Sequence, residues 1–392
     1  MPDMIRPVIN ARGRARQAPG RCPSPRGSLW RESARILVGV AALAGAIARA
    51  SPRIIGAEFI DEGAPYRSCH ASTLAETPSH RLVAAWFAGT AEGNPDVCIY
   101  LSREVGSHWT KPVIVADGHD GQGKPLPCWN PVLHQLRRGP LLLFYKVGPS
   151  PQGWWGMMRT SHDEGQTWGP ARRLPDGILG PIKNKPVERP DGTLVCGSST
   201  ESPDGAWRVH IELTSDQGGT WTQTPPLPSV GRYNSIQPTL LTLSGQRLQL
   251  LCRTKEMTLT TSISEDGGAT WSPLRPAALF SPNSGLDGLT LADGRHWLVY
   301  NWRLAPGIEP PGETDGEVRG PATPSWGVRW PLTVSTSRDG EHWEPCLTLE
   351  DRPRRDGYAY PAVIQTSDGL VHVAYTWGRL HIKHVTIDPG TP

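Results

Sequence analysis

Signals of a helical protein are scarce in this sequence. Its 392 residues include only four Phe against 16 Trp, while 43 Gly and 40 Pro supply many turns. Long amphipathic patterns of helical period are missing. This composition excludes an α-helical architecture and predicts an all-β protein, long enough for one large domain or two smaller ones.

Spacings typical of metal and redox sites are also missing. No two cysteines stand in the close C-x-x-C arrangement. The only closely spaced histidines, His381 and His384, would point to opposite faces of a strand. No Gly-rich loop leads into a helix, as a phosphate-binding loop requires. We therefore expect no metal and no cofactor, and free thiols rather than disulfides at the cysteines after residue 50.

Residues 1–50 differ from the rest in charge and hydropathy. Nine arginines stand there against two acidic residues, and an apolar run from Ile36 to Ala50 ends in Ala-Arg-Ala. This pattern predicts a secretory signal peptide, and hence a secreted or periplasmic protein. An over-extended start or a membrane-anchored, disordered N-terminus fits the same residues. The remainder, residues 51–392, is slightly acidic, so we expect no nucleic-acid partner and no membrane partner beyond such an anchor.

One short motif recurs along residues 51–392. It reads SHDEGQTW, TSDQGGTW and SEDGGATW in its best copies, and SREVGSHW and SRDGEHW in weaker ones. Asp and Gly favour a tight turn between strands, and the Trp covers the apolar layer beneath it. The recurrence of one motif along the chain predicts a stack of similar supersecondary units.

A second repeat gives the number of units. Six segments share a short strand, a turn and a second apolar strand, beginning with HASTLAETPSHRLVAAWF and ending with YPAVIQTSDGLVHVAYTW. Six such hairpins predict a six-bladed β-propeller. We expect a strand near Arg53–Phe59 to complete the last blade.

The first strand of each propeller blade lies nearest the axis, so the residues at its start should form a ring at one mouth. All six residues at that position are polar: His70, Asn130, Lys185, Gln237, Asp287 and Tyr360. The ends of the paired strands add a second set: Lys146, Arg253, Asn301 and Trp377. Together, these ring and strand-end residues would form a cationic cup with aromatic walls at that mouth of the propeller. Such a cup is typical of a site for an acidic sugar, so the expected partner is a glycan or oligosaccharide.

The S-x-D-x-G-x-T-W turns resemble the Asp-box, or BNR, repeats of the sialidase (neuraminidase) superfamily, over about residues 53–389. Within it, the chain is most similar to the predicted-neuraminidase group. The resemblance implies a Tyr nucleophile at Tyr360 in AYPAVIQ and an acid/base at Asp96 in EGNPDVCIY. It also implies that Arg253 and Arg329 belong to a carboxylate-binding Arg triad.

Two positions depart from the sialidase pattern. Gln237 stands where the family has the Glu that activates the Tyr, and His70 stands where it has the first Arg. We therefore expect an exo-acting glycoside hydrolase for a terminal acidic or deoxy sugar, with His70 as base and Tyr360 or Asp287 at the anomeric carbon. A uronate polysaccharide lyase using Arg253, His70 and Tyr360 and a non-catalytic glycan-binding propeller remain alternatives.

Overall fold

Every regular element in the described part of the chain is a β-strand. The structure, a computed structural model, describes residues 50–303 and 327–391, so most of the predicted signal peptide lies outside it. The strands form six antiparallel sheets arranged as the blades of a propeller. The predicted all-β, six-bladed architecture is confirmed. No helix that could cross a membrane occurs in these two ranges.

The first three blades follow a single N-terminal strand. That strand is β1 (Arg53–Phe59). Blade 1 contains β2 (Ser68–Glu76), β3 (Leu82–Gly89), β4 (Cys98–Val105), β5 (His108–Trp109) and β6 (Val113–Ala116). Blade 2 contains β7 (Cys128–Gln135), β8 (Leu141–Val147), β9 (Trp155–Ser161) and β10 (Arg172–Arg173). Blade 3 contains β11 (Val187–Glu188), β12 (Leu194–Glu201), β13 (Trp207–Thr214) and β14 (Thr222–Gln223).

The last three blades end with the one that contains β1. Blade 4 contains β15 (Ser235–Thr242), β16 (Leu248–Thr254), β17 (Thr258–Ser264) and β18 (Arg275–Phe280). Blade 5 contains β19 (Asp287–Thr290), β20 (His296–Tyr300), β21 (Leu332–Ser337) and β22 (Glu344–Glu350). Blade 6 contains β23 (Tyr358–Gln365), β24 (Val371–Trp377) and β25 (His381–Asp388), and β1 is its outermost strand.

The prediction that the N-terminal strand completes the last blade is confirmed. β1 pairs antiparallel with β25, from Arg53 opposite Asp388 to Phe59 opposite Lys383. The strands from the two ends of the propeller, β1 and β25, are thus held in one sheet, and this pairing closes the ring of blades.

The repeated motif forms a structural turn on the outer side of the blades. In the copy at residues 264–271, Asp266 accepts hydrogen bonds from the backbone and hydroxyl of Thr270, and Ser264 accepts one from Gly268 N at 2.8 Å. These donors lower the pKa of Asp266 to about 2. Trp271 Nε1 donates to Gly268 O at 3.0 Å. The motif therefore builds the turn and supplies no residue to the mouth of the propeller.

Apolar side chains fill the spaces between neighbouring blades. Five of six clusters join two adjacent sheets, and the sixth joins blades 1, 2 and 6. Trp86 and Trp297, for example, are completely buried in two of these clusters. The cysteines at 69, 98, 128, 196, 252 and 346 are free thiols, as predicted, and four of them are buried. The hydrophobic core thus consists of the apolar contacts between neighbouring blades, arranged in a ring around the propeller axis.

A buried histidine pair stabilises blade 6 in a pH-dependent way. The rings of His372 and His384 are stacked, with His372 Nδ1 2.9 Å from His384 Nε2 and His384 Nδ1 3.0 Å from Glu58 Oε1. Burial and the neighbouring His384 lower the pKa of His372 to about 4, against weaker opposing effects of Asp368 and Glu76. His372 is therefore neutral in the folded protein at neutral pH.

We predict that the free energy of unfolding falls as pH drops from about 6.5 towards 4. In that window the unfolded chain protonates His372 whereas the folded chain does not, so acid favours unfolding by up to about 3 kcal/mol. Urea unfolding of the wild type and His372→Gln at several pH values measures this. An identical pH slope in both proteins would contradict the prediction.

Candidate functional site

The starts of the innermost strands carry a shared backbone irregularity. In β2, β7, β15 and β23 the pairing register shifts by a bulge near the mouth of the propeller. Each bulge contains a non-glycine residue with positive φ: Ala71, Asn130, Gln237 and Tyr360. Such residues are uncommon and concentrate at functional sites. The bulges therefore mark the mouth as the candidate site.

The register corrects one position of the predicted ring. His70 pairs with Phe87 and the bulge follows it, so Ala71 is the residue equivalent to Asn130, Gln237 and Tyr360. Since Ala71 has no polar group, blade 1 contributes through the neighbouring His70 instead.

Tyr360 lies at the centre of the cup. Its hydroxyl oxygen accepts hydrogen bonds from Arg253 Nη1 at 2.7 Å and from Gln237 Nε2 at 3.3 Å. Arg253 Cζ and Arg329 Cζ lie 5.6 and 5.7 Å from the ring centroid. Because both of these partners donate, the hydroxyl's own proton points away from them.

Two guanidinium groups, those of Arg253 and Arg329, lie beside this tyrosine. Arg253 also donates to Gln237 Oε1 at 3.1 Å and to Asn283 Oδ1 at 2.7 Å. Arg329 donates to Asn283 O at 3.2 Å, and burial, with Arg253 and Arg379 nearby, lowers its pKa to about 9. A pKa of about 9 leaves Arg329 cationic at neutral pH, so the cup attracts an anion.

His70 lies against the tyrosine ring rather than at its hydroxyl. The ring centroids are 4.2 Å apart, His70 Nδ1 is 3.0 Å from Thr376 Oγ1, and 1% of His70 is exposed. Burial and the surrounding cations hold the pKa of His70 well below its usual range. The imidazole is thus neutral, but no hydrogen bond joins it to Tyr360 within the described ranges.

Two other predicted ring residues form an ion pair. Lys185 Nζ lies 2.9 Å from Asp287 Oδ2, which also accepts from Val363 N at 2.9 Å. Asp287 Oδ1 accepts from Thr239 Oγ1 at 2.7 Å and from Gly288 N at 2.9 Å. Both carboxylate oxygens are fully engaged, so this geometry suits the joining of blades better than attack on a substrate.

The residues before Lys185 form the floor of the cup. Lys183 Nζ donates to the carbonyls of Leu286 and Pro361 and to Asn184 Oδ1. Asn184 Nδ2 donates to Gln237 O at 3.2 Å and to Pro238 O at 3.1 Å. This segment therefore satisfies carbonyls that the bulges leave without strand partners.

Asp96 lies on an exposed loop between β3 and β4. Its oxygens accept from Thr90 N and Thr90 Oγ1, each at 2.8 Å. On the same loop Glu92 forms an ion pair with Arg379, which follows β24 in blade 6. The loop therefore bridges the first and last blades at the mouth.

Three residues predicted for the cup lie outside it. Lys146 is fully buried and donates to Pro181 O, and Asn301 is fully buried and donates to Pro331 O and Tyr358 O. Trp377 is one residue beyond Thr376, the strand-end residue that contacts His70, and adjacent residues of a strand face opposite ways. None of the three is positioned to touch a ligand in the cup.

Four residues of this region were not among the site residues predicted from the sequence: Lys183, Glu201, Asn283 and Arg379. Glu201 ends β12, the same kind of strand-end position that drew attention to Arg253. Burial raises the pKa of its carboxyl, against the opposing effect of Arg253. Extending the strand-end search to blade 3 would have found it.

The described residues hold no cluster of three or more His, Cys, Asp or Glu that suits a metal ion. The arrangement offers instead guanidinium groups for an anion, a tyrosine hydroxyl between two donors, and carboxyl groups on the surrounding blades. These parts fit acid–base or covalent chemistry on a polar, anionic substrate.

We predict that Asp287→Asn lowers the free energy of unfolding by about 3 kcal/mol, because it leaves the Lys185 charge without its buried partner. Chemical denaturation measures the loss. The matched control is Asp176→Asn, at an exposed ion pair with Arg173, which should change stability by less than about 0.5 kcal/mol. Wild-type stability in Asp287→Asn would show that the pair does not hold the blades together.

Several solved structures share the fold at low sequence identity. A protein of unknown function from Dyadobacter fermentans DSM 18053 superimposes with a TM-score of 0.67 at 16% identity, covering 86% of this chain and 99% of its own. The Hadza microbial sialidase Hz136 gives 0.64 at 18% identity, covering 81% and 65%. The intramolecular trans-sialidase from Ruminococcus gnavus gives 0.62 at 13% identity, covering 86% and 98%.

Similarity at the level of sequence is more limited than similarity of fold. No curated protein matches the chain. A family model described as "BNR repeat-like domain" matches residues 80–373, which is most of the propeller. The chain therefore belongs to the BNR repeat-like domain family, on a sialidase-like six-bladed propeller.

Proposed function

We propose that this protein is an exo-acting glycoside hydrolase that removes an acidic sugar from the end of a glycan. The observation that carries the proposal is the Tyr360 hydroxyl, held by Arg253 and Gln237 at the centre of a cationic cup. The sialidase-like fold supports it, since two of the structural neighbours are a sialidase and a trans-sialidase by name.

In this proposal the arginines recognise the acid group of the sugar. Arg253 and Arg329, on blades 4 and 5, lie beside the tyrosine, and Arg379 of blade 6 lies near His70 and Arg329. A planar guanidinium suits a carboxylate. Binding the acid group there would set the anomeric carbon beside Tyr360. Holding the two reacting groups together in this way lowers the activation free energy, because their translational and rotational entropy has already been lost on binding.

The glycosidic C–O bond then breaks as Asp96 protonates the leaving oxygen, while Tyr360 either bonds to the anomeric carbon or stabilises its positive charge. Water attacks that carbon next, which releases the sugar and, where a bond to Tyr360 has formed, the free tyrosine. Gln237 cannot accept the phenolic proton, and its amide donates to the hydroxyl instead. The proton must therefore leave on the open side of the cup, towards water or substrate. Glu201, whose pKa is raised by burial, is a second acid near Arg253.

The described geometry favours one alternative over the other. A uronate lyase would need His70 to reach the C5 proton of a sugar, and the buried imidazole has almost no exposed surface. A glycan-binding propeller without catalysis is favoured by Gln237, because the amide supplies no base. Binding without product is therefore the second candidate.

We predict that Tyr360→Phe lowers kcat by about a thousandfold or more on any aryl glycoside of an acidic sugar that the wild type cleaves. Fluorescent glycosides of sialic and glucuronic acid measure the rate, and ultraviolet absorbance reports an unsaturated lyase product. The matched control is Tyr300→Phe, since Tyr300 is buried away from the cup. A wild-type rate in Tyr360→Phe would remove this mechanism.

We also predict that Gln237→Glu increases hydrolysis, because it places a proton acceptor about where Gln237 Nε2 now lies, 3.3 Å from the hydroxyl. The gain should be on the order of tenfold or more. If neither protein forms product although acidic glycosides bind, the glycan-binding candidate holds and the hydrolase proposal fails.

A further inference from the structure

A cavity separate from the cup lies on blade 6, at the side where β1 and β24 end. Its volume is about 490 Å³, and Phe59, Tyr358, Trp377, Arg352 and Arg354 contribute to its wall. Because Trp377 faces away from Thr376 and the cup, this cavity rather than the cup accounts for its position.

The apolar part of the wall contains three aromatic rings together with Ala57 and Pro353. Phe59 meets Trp377 edge to face at a centroid distance of 5.2 Å, and Tyr358 lies 6.5 Å from Trp377. Aromatic groups of this kind pack against the C–H faces of sugars and exclude water from nearby polar contacts.

A cation is fixed against these rings. Arg354 Cζ lies 3.3 Å from the centroid of the Trp377 ring. Gly378, in the left-handed region with φ of 60°, leaves the space for it, because a side chain at that position would collide with Arg354 Nε. The guanidinium is thus held in a fixed orientation, which lowers the entropy lost when it binds a ligand.

The charges of the wall are not balanced. Glu58 accepts hydrogen bonds from Trp109 at 2.9 Å and from His384 at 3.0 Å, and Glu350 accepts from Tyr375 and Lys383. Both carboxylates are therefore occupied. Among residues 50–303 and 327–391 no carboxylate forms an ion pair with Arg354 or Arg352. The wall carries three cations, Arg352, Arg354 and Lys383, against two carboxylates, so the cavity combines aromatic surface with a net positive charge.

We propose that this cavity is a second carbohydrate-binding site, for an acidic unit of a glycan. The Arg354 guanidinium binds the carboxylate or sulfate, Arg352 adds a second cation, and the sugar ring packs against the aromatic wall. Binding here does not require the cup to be catalytic, so the inference stands apart from the proposed hydrolysis.

The test is calorimetric titration with acidic and neutral tetrasaccharides, in an Arg253→Gln background that weakens the cup. Hyaluronan tetrasaccharide carries carboxylates, chondroitin sulfate tetrasaccharide adds sulfates, and chitotetraose is neutral. We expect at least one acidic tetrasaccharide to bind and chitotetraose not to bind. Arg354→Gln should raise the Kd of the acidic probe by about tenfold or more.

Two further variants keep the result decisive. Arg352 is exposed, so Arg352→Gln leaves the packing intact and should still raise the Kd several-fold. Arg355→Gln, at an exposed position on the same loop, is the matched control and should bind as the background does. Equal binding of chitotetraose, no binding of either acidic probe, or an affinity unchanged in both Arg354→Gln and Arg352→Gln would overturn the proposal.

Discussion

The candidate site depends on one backbone constraint, the bulge near the start of four innermost strands. A regular strand alternates its side chains between two faces, whereas each bulge adds a residue and redirects the chain at the mouth. This is how Gln237 and Tyr360, on different blades, come within hydrogen-bonding distance. The bulges leave carbonyls without strand partners, and Lys183 and Asn184 donate to them. Site and floor are therefore parts of a single arrangement.

Buried positive charge is the second constraint on the site. Arg253, Arg329 and Lys183 are all nearly inaccessible to water, and burial lowers the pKa of Lys183 to about 7. Arg253 and Lys183 donate to carbonyl and amide oxygens. Holding cations this way opposes folding, so a ligand that brings a negative charge would stabilise the folded protein. The acidic sugar of the proposed function has that property.

Repetition explains what sequence reasoning predicted well. The turns with Asp, Gly and Trp and the six hairpins gave the number of blades and the strand that completes the last one. Single positions were less predictable, because a bulge changes register by one residue and leaves no clear mark in the sequence. Hence the ring position was assigned to His70 but is occupied by Ala71. Likewise Trp377 was assigned to the cup, although its neighbour Thr376 is the residue that faces it. Lys146 and Asn301 were misassigned because polarity alone does not show which polar side chains become buried between blades.

The pairing of β1 with β25 also determines when the molecule can close. A chain emerging from the ribosome releases Arg53–Phe59 long before His381–Asp388 exists, so the edge of β1 has no partner for most of synthesis. Exposed strand edges invite pairing with other chains, and contacts between distant residues form slowly. Among the described strands β1 is thus made first but is one of the last to pair, and the interval before closure is the stage at which this propeller is most open to aggregation.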